Sequence, residues 1–255
     1  MNSTIRCAAL ALAAGFFAVT ACEKSSHTNI ATIIDRHTEA RGGAAALAAV
    51  NAIEVRRSVQ EGKRQLITHY VAMRDGRMRL DVFEAGRPVF AEGFDGQSGW
   101  QVQELQDHVA EMPDWALGAV RRTVRYNLFS LNELAATGTK LTLADREKLS
   151  GILYWVIEAT DADGYKQRLF VDPVSFLITH VQERGSVHPD RSSYRYDIDT
   201  YYGDFRRIDG VIFSFQSEVL SSESGMPEQK TNALEIIVNP KIDATAFLKP
   251  AAKQD

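Results

Sequence analysis

Four Asp-Gly pairs limit the possible folds of this chain more than any other feature of its sequence. They begin at Asp75, Asp95, Asp163 and Asp209. An Asp-Gly pair suits the centre of a tight hairpin turn, where both residues take positive φ and the flanking strands run antiparallel. Four such turns predict an antiparallel meander.

Alternating side chains support this interpretation. Met78, Leu80 and Val82 alternate with charged residues, which is typical of a strand with one solvated face. The sequence predicts twelve strands, at Glu54–Ser58, Gln65–Met73, Arg77–Glu84, Arg87–Phe94, Gly99–Gln103, Lys140–Lys148, Ile152–Thr160, Tyr165–Val171, Leu177–Glu183, Tyr194–Tyr202, Val211–Leu220 and Thr231–Val238.

Two segments have helical spacing instead. One begins after a possible cap at Asn29 and ends at Gly42-Gly43, and a short helix or turn follows it. The other begins at a possible cap, Asp114, and interrupts the meander. Its apolar stripe consists of Leu117, Val120, Val124 and Leu128.

A long antiparallel sheet of short strands tends to curl, split or close. The segment Ile152–Ala159 is apolar on both faces, so we expect cover on both. The predicted fold is therefore mainly β (α+β). It is a large curled antiparallel sheet, or open half-barrel, with helices Ile30–Arg41 and Leu117–Phe129 covering its mouth as a lid.

The first residues predict export. Arg6 precedes the apolar run Cys7–Ala21, which is too short to cross a bilayer comfortably and reads as a cleaved signal peptide. Val19-Thr20-Ala21 before Cys22 resembles the lipobox of bacterial lipoproteins, in which the cysteine sulfur is acylated after cleavage. The alternative is an ordinary signal or an anchor helix.

The resulting organisation is a signal peptide at 1–21, a lipidated tether at 22–28, one domain at 29–249 and a loose tail at 250–255. Glu23, rather than Asp, follows the cysteine, and the resemblance to lipoproteins then favours the outer membrane, on its periplasmic face. The inner membrane stays open as an alternative.

Composition excludes several classes of function. The net charge is −4, and no basic cluster suggests nucleic acid. Cys7 and Cys22 are the two cysteines, so a processed domain has neither a disulfide nor a cysteine nucleophile.

Catalytic motifs are also missing from the sequence. It has no HExxH or GxSxG motif. The glycines of "GFDGQSGW" are spaced as in a nucleotide loop but run into a strand, which favours a hairpin turn. We therefore predict no catalytic residue, metal or cofactor.

Several segments resemble a known family. "HTEARGGAAALAAVNAIEV", "FDGQSGWQV" and "YYGDFRRIDGVIFSFQSEV" resemble periplasmic and lipid-anchored proteins of the LolA/LolB type, the lipoprotein-localisation fold. The resemblance implies an open antiparallel barrel around an apolar cavity, with helices as its lid. In the members that carry lipoproteins, this cavity holds acyl chains.

This resemblance leads to two sets of candidate residues. Arg121, Arg122 and Arg125 could hold a lipid phosphate or carboxylate, or could be the solvated face of a helix. The other set could line the cavity or simply pack in the core: Phe90, Trp100, Trp115, Val124, Leu128, Trp155, Phe213 and Phe215.

The predicted function is that of a membrane-anchored periplasmic lipoprotein that binds or carries a hydrophobic ligand, a lipid or the acyl chains of a lipoprotein. The first alternative is a scaffold lipoprotein that binds a protein partner in an envelope complex. A hydrolase is the weaker alternative.

Overall fold

The computed structural model describes residues 29–103, 109–189, 192–221 and 227–250. The predicted signal peptide, Cys22, the tether and residues 251–255 lie outside the described residues. In the described part the chain forms one antiparallel sheet of 14 strands with a few helices on it, and the sheet does not close into a barrel. The predicted fold class is confirmed.

The strands are β1 Ala52–Glu61, β2 Arg64–Met73, β3 Met78–Glu84, β4 Arg87–Phe94, β5 Gly99–Gln103, β6 Ala110–Glu111, β7 Lys140–Leu143, β8 Glu147–Leu149, β9 Ile152–Thr160, β10 Lys166–Val171, β11 Ile178–Gly185, β12 Tyr196–Ile208, β13 Val211–Ser221 and β14 Pro227–Val238. The helices are α1 Ile30–Ala40, α2 Ala44–Ala48, α3 Asp114–Leu128 and α4 Leu131–Ala136, and a 3₁₀ helix covers Ala244–Phe247.

The strands follow one another across the sheet, except where β1 meets β14 and where β7 and β8 both pair with β9. The order is β6-β5-β4-β3-β2-β1-β14-β13-β12-β11-β10-β9-β7, and β8 also pairs with β9. Because β1 pairs with β14, the first and last strands meet in the middle of the sheet. In the described part of the chain, the sheet ends in β6, of two residues, at one side and in β7 and β8, of four and three residues, at the other.

All four Asp-Gly pairs lie in turns between consecutive strands, as predicted. The turn between β4 and β5 shows why aspartate suits them: Asp95 Oδ1 accepts hydrogen bonds from the backbone N–H groups of Gln97 and Ser98, both at 2.8 Å. The predicted strand Lys140–Lys148 is two strands, because the chain leaves the ladder at 144–146. Strand β6 was not predicted.

Local signals also determine the helices. Asn29 caps α1 by accepting a hydrogen bond from the Thr32 N–H at 2.9 Å. Asp114 is the first residue of α3 rather than its cap, which is Pro113. Helix α4, which was not predicted, begins with a capping box between Ser130 and Glu133.

Gly42 joins α1 to the sheet. Its φ is +125°, and a Cβ placed there would lie 2.1 Å from the carbonyl oxygen of Gly210, in the β12–β13 turn. The Ile212 N–H donates to the Arg41 carbonyl at 2.8 Å beside it. The glycine stop after α1 therefore also allows two backbones to touch.

Two apolar clusters lie between the helices and the sheet. In the first, α3 packs on the inner face of the β1–β4 side through Val120, Val124 and Leu128. In the second, Ile33 of α1 and Leu134 of α4 pack on β9–β11. No described helix has the length and apolar character that a membrane span requires.

Strand β9 departs from its predicted cover. Ile157 and Ala159 are buried in the second cluster, but Ile152 and Leu153 are 40% and 43% exposed. They lie beside the Ser150-Gly151 turn, at the end of the strand away from these buried residues. The expectation that both faces are covered along the whole segment is wrong at this end.

Candidate functional site

A cavity of about 610 Å³ lies between the inner face of the sheet and the helices. This volume is in the usual range of small-molecule sites, about 300–1,000 Å³. Helices α1, α3 and α4 all contribute to its wall, for example through His37, Val120 and Leu134. The helices that the sequence predicts over the mouth of the sheet therefore form one side of a cavity.

The wall combines apolar and polar side chains. From Ile53 to Val59, every second residue of β1 lines the cavity, and three of these four are Ile53, Val55 and Val59. On β13, Phe213 and Phe215 line it together with the polar residues between and beside them. The loop 186–189 after β11 also contributes to the lining.

The fourth lining residue of β1 is Arg57, and tyrosines surround it. Its guanidinium lies over the Tyr70 ring, 5.2 Å from the ring centroid. Burial lowers the pKa of Arg57 and raises that of Tyr70 to about 12. Burial also raises the pKa of Tyr202, which lines the same space. The tyrosines are thus neutral around a cation.

His37 and Arg41 lie at the end of α1, where it meets the cavity. Burial and, second, the neighbouring Arg41 charge lower the pKa of His37 to about 4. Its Nδ1 is 2.8 Å from the Phe176 carbonyl oxygen, so the neutral ring donates there. Burial lowers the pKa of Arg41 to about 10, partly opposed by Glu133. His37 is neutral at pH 7.

Among the described residues, two carboxylates line the cavity, and both already have partners. Glu183 accepts a hydrogen bond from Gln167 Nε2 at 2.5 Å, and the Tyr165 hydroxyl also bonds to it. Glu92 accepts a long one, 3.4 Å, from Gln101 Nε2. In the described part of the chain, neither carboxylate is paired with Arg41 or Arg57, the arginines of the cavity wall.

The structure brings two of the eight predicted lining residues to the cavity, Phe213 and Phe215. Val124 and Leu128 are buried in the first cluster, and Trp155 packs against the second. The remaining three lie elsewhere: Phe90 and Trp100 are buried in the sheet outside the cavity wall, and Trp115 is 41% exposed.

Trp100 has a clear structural contact. Its Nε1 donates to the Phe247 carbonyl oxygen at 2.9 Å, and Gly93 leaves room for its ring. This contact holds the 3₁₀ helix against the sheet.

The three predicted headgroup arginines lie on α3 outside the cavity wall. Arg122 contacts Asp163 at 2.9 Å and Asp161 at 3.4 Å, and it stacks on the Tyr165 ring at 3.5 Å. Arg125 lies 3.6 Å from Asp161. Arg121 lies over the Phe94 ring, 4.9 Å from the ring centroid. Arg122 and Arg125 therefore connect α3 to the β9–β10 turn through ion pairs.

Sequence reasoning missed Arg57, His37, Tyr70 and Tyr202. A signal existed for Arg57, because Ile53, Val55, Arg57 and Val59 alternate on one face. Because Arg56 is adjacent, however, the sequence does not show which of the two arginines belongs to this inner face. Among the described residues, no group of three or more His, Cys, Asp or Glu side chains could hold a metal ion.

Comparisons with known proteins bear on the fold. No family model matches the chain, and neither does any curated protein. The chain is similar to a LolA superfamily protein from Nitrosomonas europaea, with a TM-score of 0.56 and 13% identity over 87% of this chain and 98% of the other.

A DUF1329 family protein from Desulfovibrio piger is similar with a TM-score of 0.56 and 13% identity, over 86% of this chain and 97% of the other. Both likenesses rest on three-dimensional structure at low sequence identity. The fold is LolA-like, as the sequence resemblance implies.

Proposed function

We propose that the chain is a lipid-anchored protein of the periplasm that binds a hydrophobic ligand with acyl chains in its cavity. The observation that carries this proposal is the cavity of about 610 Å³ beneath three helices, whose wall includes rows of aliphatic and aromatic side chains. Burying apolar ligand surface there is worth about 25 cal/mol per Å². The LolA-like fold supports the proposal, since that fold type surrounds acyl chains in lipoprotein carriers.

The proposed mechanism is exchange beneath a lid. Helix α3 is the part that moves. The ion pair between Arg122 of α3 and Asp161 of the β9–β10 turn stabilises its closed position. An acyl chain that enters replaces the apolar contacts that α3 makes with the sheet, so loading and release are close to balanced. Arg121, Arg122 and Arg125 then act on the lid and not on a headgroup.

The cavity is tested by filling it. Ala233 lines the cavity, whereas its neighbour Leu234 is exposed. Ala233→Trp should abolish binding of a fluorescent fatty acid, and the matched control Leu234→Trp should retain it. Equal binding by both variants would contradict the proposed site.

Lipids that co-purify with the protein from native membranes test the ligand class. We expect one lipid class near a one-to-one ratio by mass spectrometry. A lipid-free protein with a tightly bound protein partner would support the scaffold instead, and turnover of an ester substrate would support a hydrolase.

A cross-link tests the lid. Cysteines at Arg122 and Asp163, joined by a short bismaleimide, should prevent exchange of bound fatty acid, and the uncoupled double variant should exchange faster than wild type. If the coupled protein exchanges ligand at the wild-type rate, α3 is not a lid.

The anchor has a separate test. Cys22→Ala should leave unprocessed precursor and take up no labelled palmitate in cells, because the acyl chain is attached to that sulfur. If the wild-type chain also takes up no label, the protein is not lipid-anchored, whatever its cavity binds.

A further inference from the structure

Arg57 occupies the middle of an otherwise apolar row. Its neighbours on the inner face of β1 are Val55 and Val59, and all three line the cavity. The surface that Arg57 keeps is therefore turned toward the cavity. A guanidinium in such a place loses hydration, which favours partners that replace water.

The described residues do not supply that partner. None of their carboxylates forms an ion pair with Arg57, and none of their oxygens is in hydrogen-bond contact with its guanidinium; its contact is the face of Tyr70. Burial lowers its pKa, while Tyr70 and Tyr202 only partly oppose this. The two carboxylates of the wall, Glu92 and Glu183, have other partners.

A second polar group beside Arg57 also lacks a partner. Thr68 lies directly opposite Arg57 on β2 and lines the same cavity. Its buried hydroxyl has no hydrogen-bond partner in the described structure. Side chains of directly opposed strand residues lie about 5 Å apart at their Cβ atoms, so one small acceptor can reach both.

The other side of Arg57 faces a small side chain. Its partner on β14 is Ala233, and the register shifts there, so that Arg56 faces Glu235 and Leu234 has no partner on β1. A bulge of this kind redirects side chains and is frequent near binding sites. The small side chain of Ala233 leaves space beside the guanidinium.

We propose that Arg57, with the Thr68 hydroxyl, binds the anionic group of the cavity's ligand, a carboxylate or a phosphate. Guanidinium binds such oxyanions through two parallel N–H groups. The anion lies inside the cavity, at the midpoint of β1, and the acyl chain extends along the apolar wall. This inference rests on the proposed function and adds its ligand class: an acyl compound with one anionic group.

The experiment compares oleate with oleyl alcohol, which has the same chain without the charge. Delipidated wild-type protein should bind oleate at least ten times more tightly than the alcohol by calorimetry. In Arg57→Met the two should bind equally, with the affinity for the alcohol retained. The control is Arg56→Met, because Arg56 is the adjacent arginine on the outer face and should keep the wild-type preference.

A third probe separates the sources of the anion. Oleoyl lysophosphatidic acid carries a phosphate on a similar chain. Tighter binding of this probe than of oleate, lost in Arg57→Met, would assign the site to a phospholipid headgroup; the reverse order would assign it to a fatty acid.

The outcomes distinguish the two proposals. Equal affinity of wild type for oleate and the alcohol would overturn the role of Arg57 and leave the cavity proposal standing. A preference that survives in Arg57→Met would do the same. If no probe binds, the proposed function is wrong, and the inference about Arg57 is overturned with it.

Discussion

Two regions of the molecule each contain an interior arginine, and they treat it in opposite ways. In the helix joint, formed by Arg74 with α2, α3 and α4, the guanidinium donates to the carbonyl oxygens of Leu47, Val50 and Leu128 and to Glu133. In the cavity, Arg57 has no such acceptor among the described residues. The joint satisfies its arginine with acceptors of the protein itself, whereas the cavity arginine is the one for which we propose a ligand.

The physical difference lies in what surrounds each cation. Helix C-termini have carbonyl oxygens without intrahelical partners, and Arg74 contacts those of α2 and α3. The inner face of a strand has no free carbonyls, because the sheet uses them. An arginine on that face must find a side chain or a ligand.

The largest effect should come from the joint. Arg74→Met removes the charged donor shared by Glu133 and three carbonyl oxygens, so we expect a loss of about 3 kcal/mol in unfolding free energy. Denaturant unfolding measures it. The control is Arg64→Met, which breaks an exposed ion pair with Glu84 and should change stability little. A smaller loss in Arg74→Met than in the control would remove the contrast between the regions.

The stability of the protein should fall in acid because His37 is buried in its neutral form. His37 has a folded pKa of about 4, below the unfolded value near 6.5. Between these values the unfolded chain binds a proton that the folded chain does not. Stability is therefore complete above about pH 6.5 and falls as the pH approaches 4, by about 3 kcal/mol.

His37→Gln isolates this contribution and should flatten the decline in denaturant unfolding measured at several pH values. His180, whose pKa burial also lowers, adds a fall of the same sign in both proteins. An identical pH profile in wild type and variant would show that His37 takes no part.

Arg57→Met should stabilise the ligand-free protein. It removes a poorly hydrated cation and adds apolar contact, so we expect a gain of about 1–2 kcal/mol by denaturant unfolding. Arg56→Met, on the outer face, should be close to neutral. Destabilisation by Arg57→Met would mean that this arginine holds the fold together, as Arg74 does.

The smallest effect concerns a cap within the joint. Ser130→Ala should cost about 1 kcal/mol, as should Asn29→Ala at the start of α1. Since Ser130 positions Glu133, which contacts Arg74, its effect should not add to that of Arg74→Met. The effect of Asn29→Ala should add. If the effects of Ser130→Ala and of Asn29→Ala both add to that of Arg74→Met, the Ser130 cap does not act through the contact between Glu133 and Arg74.

Sequence patterns predicted the parts of this fold that local chemistry determines. Each Asp-Gly pair forms a turn. Asn29 caps the first helix, and this cap requires only the Asn29 side chain and the backbone N–H of Thr32, three residues later. The capping box at Ser130 is just as local, since it needs only Ser130 and Glu133, three residues apart.

Which residues line the cavity depends on which face of each strand points inward and on how the strands and helices pack. No single sequence segment contains this information. Aromatic size alone does not identify the cavity wall: Trp100 and Phe90 lie outside it, whereas Phe213 and Phe215 belong to it. Arg57 follows the alternation of β1, but the choice between Arg56 and Arg57 as the inward residue depends on the pairing with β14 and its register shift.

The two short edges of the sheet have a consequence for behaviour at high concentration. A long sheet with open sides can recruit further chains through its unpaired backbone groups. In the described part of the chain, the outermost strands β6, β7 and β8 have only two, four and three residues. These edges offer neighbouring copies too short a ladder to extend, so a concentrated population of these molecules should remain free of fibrils even though each contains a sheet of 14 strands.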